Sequence, residues 1–299
     1  MRLRVQGVTQ VALELSSPTR MERYLRDVFG LQLLRQGYLR GEYVRVMGSP
    51  THQRENSGFL ILYNRPFIER GRLRHIGVAL DQDVDAAVAE LRRRGVEVDG
   101  EDMITGPNGL RLKIDHYTRP RPLPVNDPVT KMADAPIDPG LPCLPRKIHH
   151  VAPDVGTPSA IQDWLTELFE FDTRRAGDRR GDVFYHVGYS DAPKDPVGRS
   201  LTPFLALVYR RGLEQAQLNH IAFEMADAEG AIAFIESRGA KVDHPQDAII
   251  HGPEEVWYQI DSHETPYPLG HSANDPAVTF IPPGHHAPIG NEPRSGQRR

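Results

Sequence analysis

Two similar stretches of this chain each place a histidine near the start of a short run that alternates apolar and polar residues. They are Leu73-Arg74-His75-Ile76-Gly77-Val78-Ala79 and Leu218-Asn219-His220-Ile221-Ala222-Phe223-Glu224. A third stretch, Lys147-Ile148-His149-His150-Val151-Ala152, carries two histidines in a similar setting, and His251-Gly252-Pro253 leads into Val256-Trp257-Tyr258. Imidazole titrates near neutrality and is the commonest metal ligand, so histidines repeated at one register can hold a cation or move a proton. The plainer alternative is a packed, hydrogen-bonded histidine, and it is the expectation for His75 and for His149. Because His149 alternates with His150, it should point to the opposite face of its strand. Trp257 and Tyr258 suit a core, although Tyr258 could also bring a phenol to the site.

The elements that must position these residues repeat. From His75 to Gly95 is 95−75 = 20 residues, and from His220 to Gly239 is 239−220 = 19, with an amphipathic helix ending in Arg-Gly each time. Residues 7–15 read as a strand, and Met21, Tyr24, Leu25 and Phe29 line one face of a helix that Gly30 ends. Strand-like runs follow at Leu31–Leu34, Tyr43–Met47 and Phe59–Tyr63. The pattern restarts at Leu73, with Val84, Val88 and Leu91 on a helix face and further strands at Val96–Val98 and Leu110–Ile114. It restarts again at Lys147 and at Leu218. A second echo joins Ile114-Asp115 with its downstream Asn126-Asp127-Pro128 to Ile260-Asp261 with Asn274-Asp275-Pro276. The halves therefore read as duplicates, each made of two smaller repeats.

Residues 119–145 hold eight prolines, too many for a regular helix or central strand, and read as a linker. The expected divisions are residues 1–118, the linker 119–145, residues 146–281, and a proline-, glycine- and charge-rich tail 282–299. With 299 residues, 39% hydrophobic and 25% charged, the chain has room for two globular domains. Its net charge of -4 argues against a nucleic-acid partner. Its apolar runs are too short for a membrane span, and the N-terminus lacks the apolar core of a signal peptide. The single cysteine, Cys143, excludes an intrachain disulfide and fits a cytoplasmic setting.

Four strand–helix–strands units in a row, at residues 5–118 and 146–270, resemble the vicinal oxygen chelate superfamily of glyoxalases, epimerases, resistance proteins and type I extradiol dioxygenases. The resemblance implies an α+β fold of four βαβββ modules, paired into two cupped-sheet domains. It also implies a divalent metal in a cup. Four units in one chain look most like the extradiol dioxygenases, in which the second domain carries the metal and the first is a relic. Carried over residue by residue, the resemblance makes His150 and His220 metal ligands, with Gln10 and His75 at the matching places of the metal-free first half. The family's third ligand is a glutamate on the last strand of the fourth unit, usually after an Asp-Pro-x-Gly turn; that turn is absent here, and Glu264 lies closest to the position that compact members imply. Gln259 fits instead if Gly252-Pro253 is a degenerate turn, as Gly106-Pro107-Asn108-Gly109 suggests, and His271 fits if Asp261 begins the turn. His251 and Tyr258 would be the catalytic residues.

The resemblance implies iron(II), with Mn(II), Zn(II) and Ni(II) as other ions such donors accept. It implies a small-molecule partner, an aromatic diol or a similar oxygen chelator, and related proteins often form homo-oligomers. Two imidazoles and one carboxylate leave about three open positions on a six-coordinate iron, enough for a chelating catechol and dioxygen. That points to an extradiol ring-cleaving dioxygenase. A glutamine in the carboxylate's place would leave more positive charge and suit Lewis-acid chemistry, as in a glyoxalase-type lyase or an epimerase. A binding protein without chemistry is the third reading.

Overall fold

The structure is a computed structural model that describes residues 2–49, 59–100, 102–116, 141–179, 182–188, 204–243, 248–261 and 278–279. The first unit is β1 (Val5–Leu15), α1 (Pro18–Phe29), β2 (Gln32–Leu39), β3 (Glu42–Gly48) and β4 (Phe59–Asn64). The second is β5 (Arg72–Leu80), α2 (Val84–Arg93), β6 (Met103–Thr105) and β7 (Arg111–His116). The third is β8 (Lys147–Val155), α3 (Pro158–Phe169), β9 (Asp172–Arg179), β10 (Asp182–Gly188) and β11 (Phe204–Tyr209). The fourth is β12 (Gln217–Glu224), α4 (Ala228–Ser237), β13 (Val242–Asp243), β14 (Ile249–His251) and β15 (Trp257–Asp261), with β16 (Val278–Thr279) beyond it.

Local sequence accounts for the helices. Pro18 and Pro158 open α1 and α3, where a missing N–H costs nothing. Asp83 and Asp227 cap α2 and α4 by accepting backbone N–H bonds. Met21, Leu25, Val28 and Phe29 form the buried stripe of α1, and Gly30 closes it at φ 66. The expected strand at Val96–Val98 does not form, and the chain there runs without regular pairing before β6.

The strands build a seven-stranded sheet in the order β2-β3-β4-β1-β5-β7-β6 and a nine-stranded sheet in the order β13-β14-β15-β12-β8-β11-β10-β9-β16. At the centre of each, the first strands of two units pair antiparallel, β1 with β5 and β8 with β12. The fold is α+β, and the two halves repeat one plan.

One face of each sheet joins a shared apolar core that includes Val11, Leu13, Ile76 and Leu112 from one half and Val151, Ile221, Phe223 and Ile260 from the other. The halves cap each other reciprocally. The turn before β7 puts Asn108 at φ 54, and its Oδ1 accepts from the N–H of Thr157, at the start of α3, at 2.9 Å. The turn before β15 puts Glu254 at φ 56, and its carboxylate accepts from the N–H groups of Ser16 and Ser17, at the start of α1, at 2.7 and 2.8 Å. Cys143 and Leu144, at the end of the expected linker, are buried in or beside the core; residues 117–140 lie outside the described residues. The opposite face of each sheet is a separate cup.

Candidate metal centre

Strand pairing brings His150 and His220 to one face. His150 pairs with Ala222 and His220 with Ala152 across β8 and β12, and Gln259 of β15 pairs with Ala222 from the other side. Residues paired in this way share a face. The Nε2 atoms of His150 and His220 stand 3.0 Å apart. His220 Nδ1 lies 2.7 Å from Asn219 Oδ1, while Asn219 Nδ2 donates to Asp154 Oδ1 at 2.9 Å. The amide is thereby oriented, so His220 Nδ1–H is the donor and its Nε2 carries a lone pair pointing at His150. Burial lowers the His220 imidazole to about 4, opposed by a hydrogen bond with Gln259. The ring is neutral at pH 7, as a metal ligand must be.

His149 is packed and hydrogen-bonded as expected, but it does not stand apart from His150 on the opposite face. The register of β8 against β12 slips between the Ala222–His150 and Phe223–Ile148 pairs, leaving His149 as the extra residue of a β-bulge. A bulge re-aims side chains. His149 Nδ1 lies 2.8 Å from His150 Nδ1 and 3.4 Å from Asp261 Oδ2. His149, His150 and Asp261 are all buried and form a group able to hold a cation. Neither His149 nor Asp261 was expected in the site as a donor, because alternation alone hides a bulge.

His186 was missed as well. It lies opposite Ala206 on β10, and its ring centroid is 6.0 Å from that of His150. Its signal was the alternation of Phe184 with His186, which needs the pairing partner to give it a face.

Tyr258 does not join the group, which corrects the expectation of a phenol near the metal. Trp257 and Gln259 face the cup, so Tyr258 between them faces the core. It stacks on Phe223 and Tyr24, contacts Met21 Sδ through its hydroxyl at 3.2 Å, and is raised well above the usual tyrosine range by burial. His251 is exposed at the end of β14, two strands from His220, and stacks on Trp257 with centroids 4.8 Å apart. Glu264 and His271 lie outside the described residues. Level with the histidines stands Gln259, 5% exposed, reached by a Gly252-Pro253 turn that repeats the Gly106-Pro107 turn of the first half.

The first cup shows the same frame with different chemistry. Gln10 occupies the register of His150, and its Nε2 is 3.1 Å from His75 Nε2. Lys113 occupies the register of Gln259, both being paired to the residue two beyond the histidine. Burial first, and then the charges of Lys113, Arg74 and Arg111, lower His75 to about 3. An ammonium beside one imidazole and an amide repels a cation. The space is also filled. Val44, Val46, Ile61 and Tyr63 pack together there, whereas the same registers of the second half hold Phe184, His186, Ala206 and Val208. Arg74 lies 3.9 Å over the Tyr63 ring and pairs with Glu14 and Glu42. Its counterpart Asn219 instead orients His220. The second cup therefore exchanges bulk and positive charge for imidazoles.

The donor set fits a divalent cation. Two nitrogens each about 2.1 Å from one ion and at right angles to each other stand about 3.0 Å apart, which matches the spacing of the His150 and His220 Nε2 atoms. Without an ion, the same spacing is a hydrogen bond.

No family model matches the chain, and no curated protein sequence matches it. Solved structures do. A triple-substituted 4-hydroxymandelate synthase from Streptomyces coelicolor superposes with a TM-score of 0.62 at 12% identity, over 86% of this chain and 92% of the other. The 2,3-dioxygenase LapB from Pseudomonas sp. KL28 gives 0.62 at 14%, over 88% and 93%. A Mn(II)-bound glyoxalase from Novosphingobium aromaticivorans gives 0.58 at 15%, over 87% and 83%. The chain shares the fold of these structures, as the paired-module plan expected from the sequence requires. No helix among the described residues is long and apolar enough to cross a membrane.

Proposed function

We propose that this chain is a divalent-metal-dependent enzyme whose second cup acts on a small molecule carrying two neighbouring oxygens. The observation that carries this reading is the His150–His220 pair, with its Nε2 atoms 3.0 Å apart and the tautomer of His220 set by Asn219. Gln259 is the third donor in this reading, through its amide oxygen, because it is level with both histidines on the same face. A divalent ion held there would supply Lewis acidity, undiminished by any ligand charge. His186, beside the pair, would take the proton that a chelating hydroxyl or an acidic C–H gives up. The stacked His251 and Trp257 would form the rim against which a planar substrate lies. A neutral donor set favours redox-neutral chemistry, a lyase or isomerase of the glyoxalase kind, and the superposition on a Mn(II)-bound glyoxalase supports it.

Extradiol cleavage of a catechol with iron(II) is the second reading. It is supported by the four-unit chain, which aligns almost end to end with a 2,3-dioxygenase, and it requires a carboxylate, for which Glu264 is the candidate.

An anaerobic assay separates the two. Protein loaded with Mn(II), Zn(II), Ni(II) or Fe(II) would be given hydroxy-ketone hemithioacetals and catechols with and without oxygen. Turnover without oxygen supports the first reading. Stoichiometric oxygen uptake with a catechol supports the second. Purified protein that takes up no ion would leave only a binding role.

A further inference from the structure

The bulge beside the first ligand position is common to both halves, but its residue is not. In β1 the register slips between the Val8–Val78 and Gln10–Gly77 pairs and leaves Thr9 as the extra residue, where β8 has His149. Asp261 has a counterpart as well, Asp115, which is paired with Ala79 as Asp261 is paired with Glu224. The carboxylate is thus common to both cups. The imidazole between it and the ligand register appears only where that register holds a histidine.

Hydrogen-bond directions say what this imidazole does. His220 Nε2 carries a lone pair, because its Nδ1–H is committed to Asn219. Without an ion, His150 must meet that lone pair with Nε2–H, and its Nδ1 then accepts a hydrogen from His149. With an ion, both Nε2 atoms must present lone pairs, so the His150 proton moves to Nδ1. The atom 2.8 Å in front of Nδ1 must then accept it. His149 can act in either direction, because a neutral imidazole is a donor at one nitrogen and an acceptor at the other. A threonine or an aliphatic side chain at the bulge has no ring nitrogen to place there.

We propose that His149 is a positioning residue of the second cup: it accepts the Nδ1 proton of His150, so that the His150 ring stands with Nε2 toward the ion. The inference rests on the metal reading above. Partners of this kind set ring orientation and ligand basicity, and their loss weakens metal binding by about 10–100-fold.

The test compares full-length wild type with His149→Thr, His149→Asn and His149→Phe. Threonine is the residue the same bulge already tolerates in the first half, and asparagine keeps a polar atom near the place of Nδ1. Co(II) and Zn(II) affinities are measured by titration, the Co(II) absorption spectrum is recorded, and metal-free unfolding is followed in urea. His149→Thr should bind about 10–100-fold more weakly with an altered Co(II) spectrum. His149→Asn should recover most of the affinity, which a merely space-filling role would not require. Wild-type affinity and spectrum in His149→Thr overturn the proposal while leaving the metal site intact. A wild type that binds neither ion overturns the metal reading itself, and this inference with it. Should His149→Thr fail to fold, His149→Phe, which keeps a ring and removes both nitrogens, decides: weaker binding supports the proposal, and unchanged binding overturns it.

Discussion

Acidification from pH 7 to pH 4 should weaken the fold through the buried histidine of the first cup, and His75→Gln should remove that part of the loss. His75 is 1% exposed and lies near about 3 because burial, and then Lys113, Arg74 and Arg111, disfavour its charged form. Its folded-state value lies below that of the unfolded chain, so the native ring stays neutral while the unfolded chain takes up a proton. The contribution is therefore complete above about pH 6.5 and is lost as the pH falls toward 3. At pH 4 the window already crossed is about 2.5 pH units, which corresponds to about 3 kcal/mol of lost stability from this residue. His220, at about 4, has a similar window and contributes in both proteins. Urea unfolding of wild type and His75→Gln at pH 7 and pH 4 gives the four free energies needed. Glutamine keeps a polar side chain opposite Gln10 and cannot charge. The loss between the two pH values should be smaller in the variant by about 3 kcal/mol. Equal losses in the two proteins would refute the account of a neutral, cation-crowded first cup.

The remaining predictions concern the second cup and the contact between the halves. Gln259→Glu should tighten Zn(II) binding by at least about tenfold in calorimetric titration, since a carboxylate replaces a neutral donor next to two imidazoles; unchanged affinity would exclude position 259 as a ligand. Ala206→Ile copies the side chain that fills the first cup at this register, so it should block turnover or raise KM while metal content stays stoichiometric by elemental analysis. Tyr258→Phe should leave metal affinity and turnover unchanged and cost no more than about 1 kcal/mol in urea, because only the hydroxyl contact with Met21 is lost; a large fall in turnover would contradict its placement in the core. Glu254→Ala removes the acceptor for two N–H groups at the start of α1 and should cost about 0.5–2 kcal/mol in the same assay.

Much of the frame is legible along the chain. Periodicity alone marks four strand–helix units, because a 3.6-residue stripe and a two-residue alternation are written locally. The echo of Leu73–Ala79 in Leu218–Glu224 also puts His75 and His220 at one register before any pairing is known. His150 follows from the same logic, and the structure sets its Nε2 beside that of His220.

Other features lie in no single segment. Whether position 259 or 264 is level with the histidines depends on how β15 slides along β12, and the structure sets Gln259 there through Ala222. His149 reaches the site because β12 has one residue fewer than β8 across the bulge. His186 gains its place only when β10 pairs with β11 opposite Ala206. Sequence by itself determined the repeated units, the registers of the paired histidines and the chemistry those side chains are capable of, since each is a property of a segment and its period. Tertiary structure alone decided which residues meet them and which side chains stand around each pair, because strand register and side-chain volume across a sheet are settled between segments far apart in the chain.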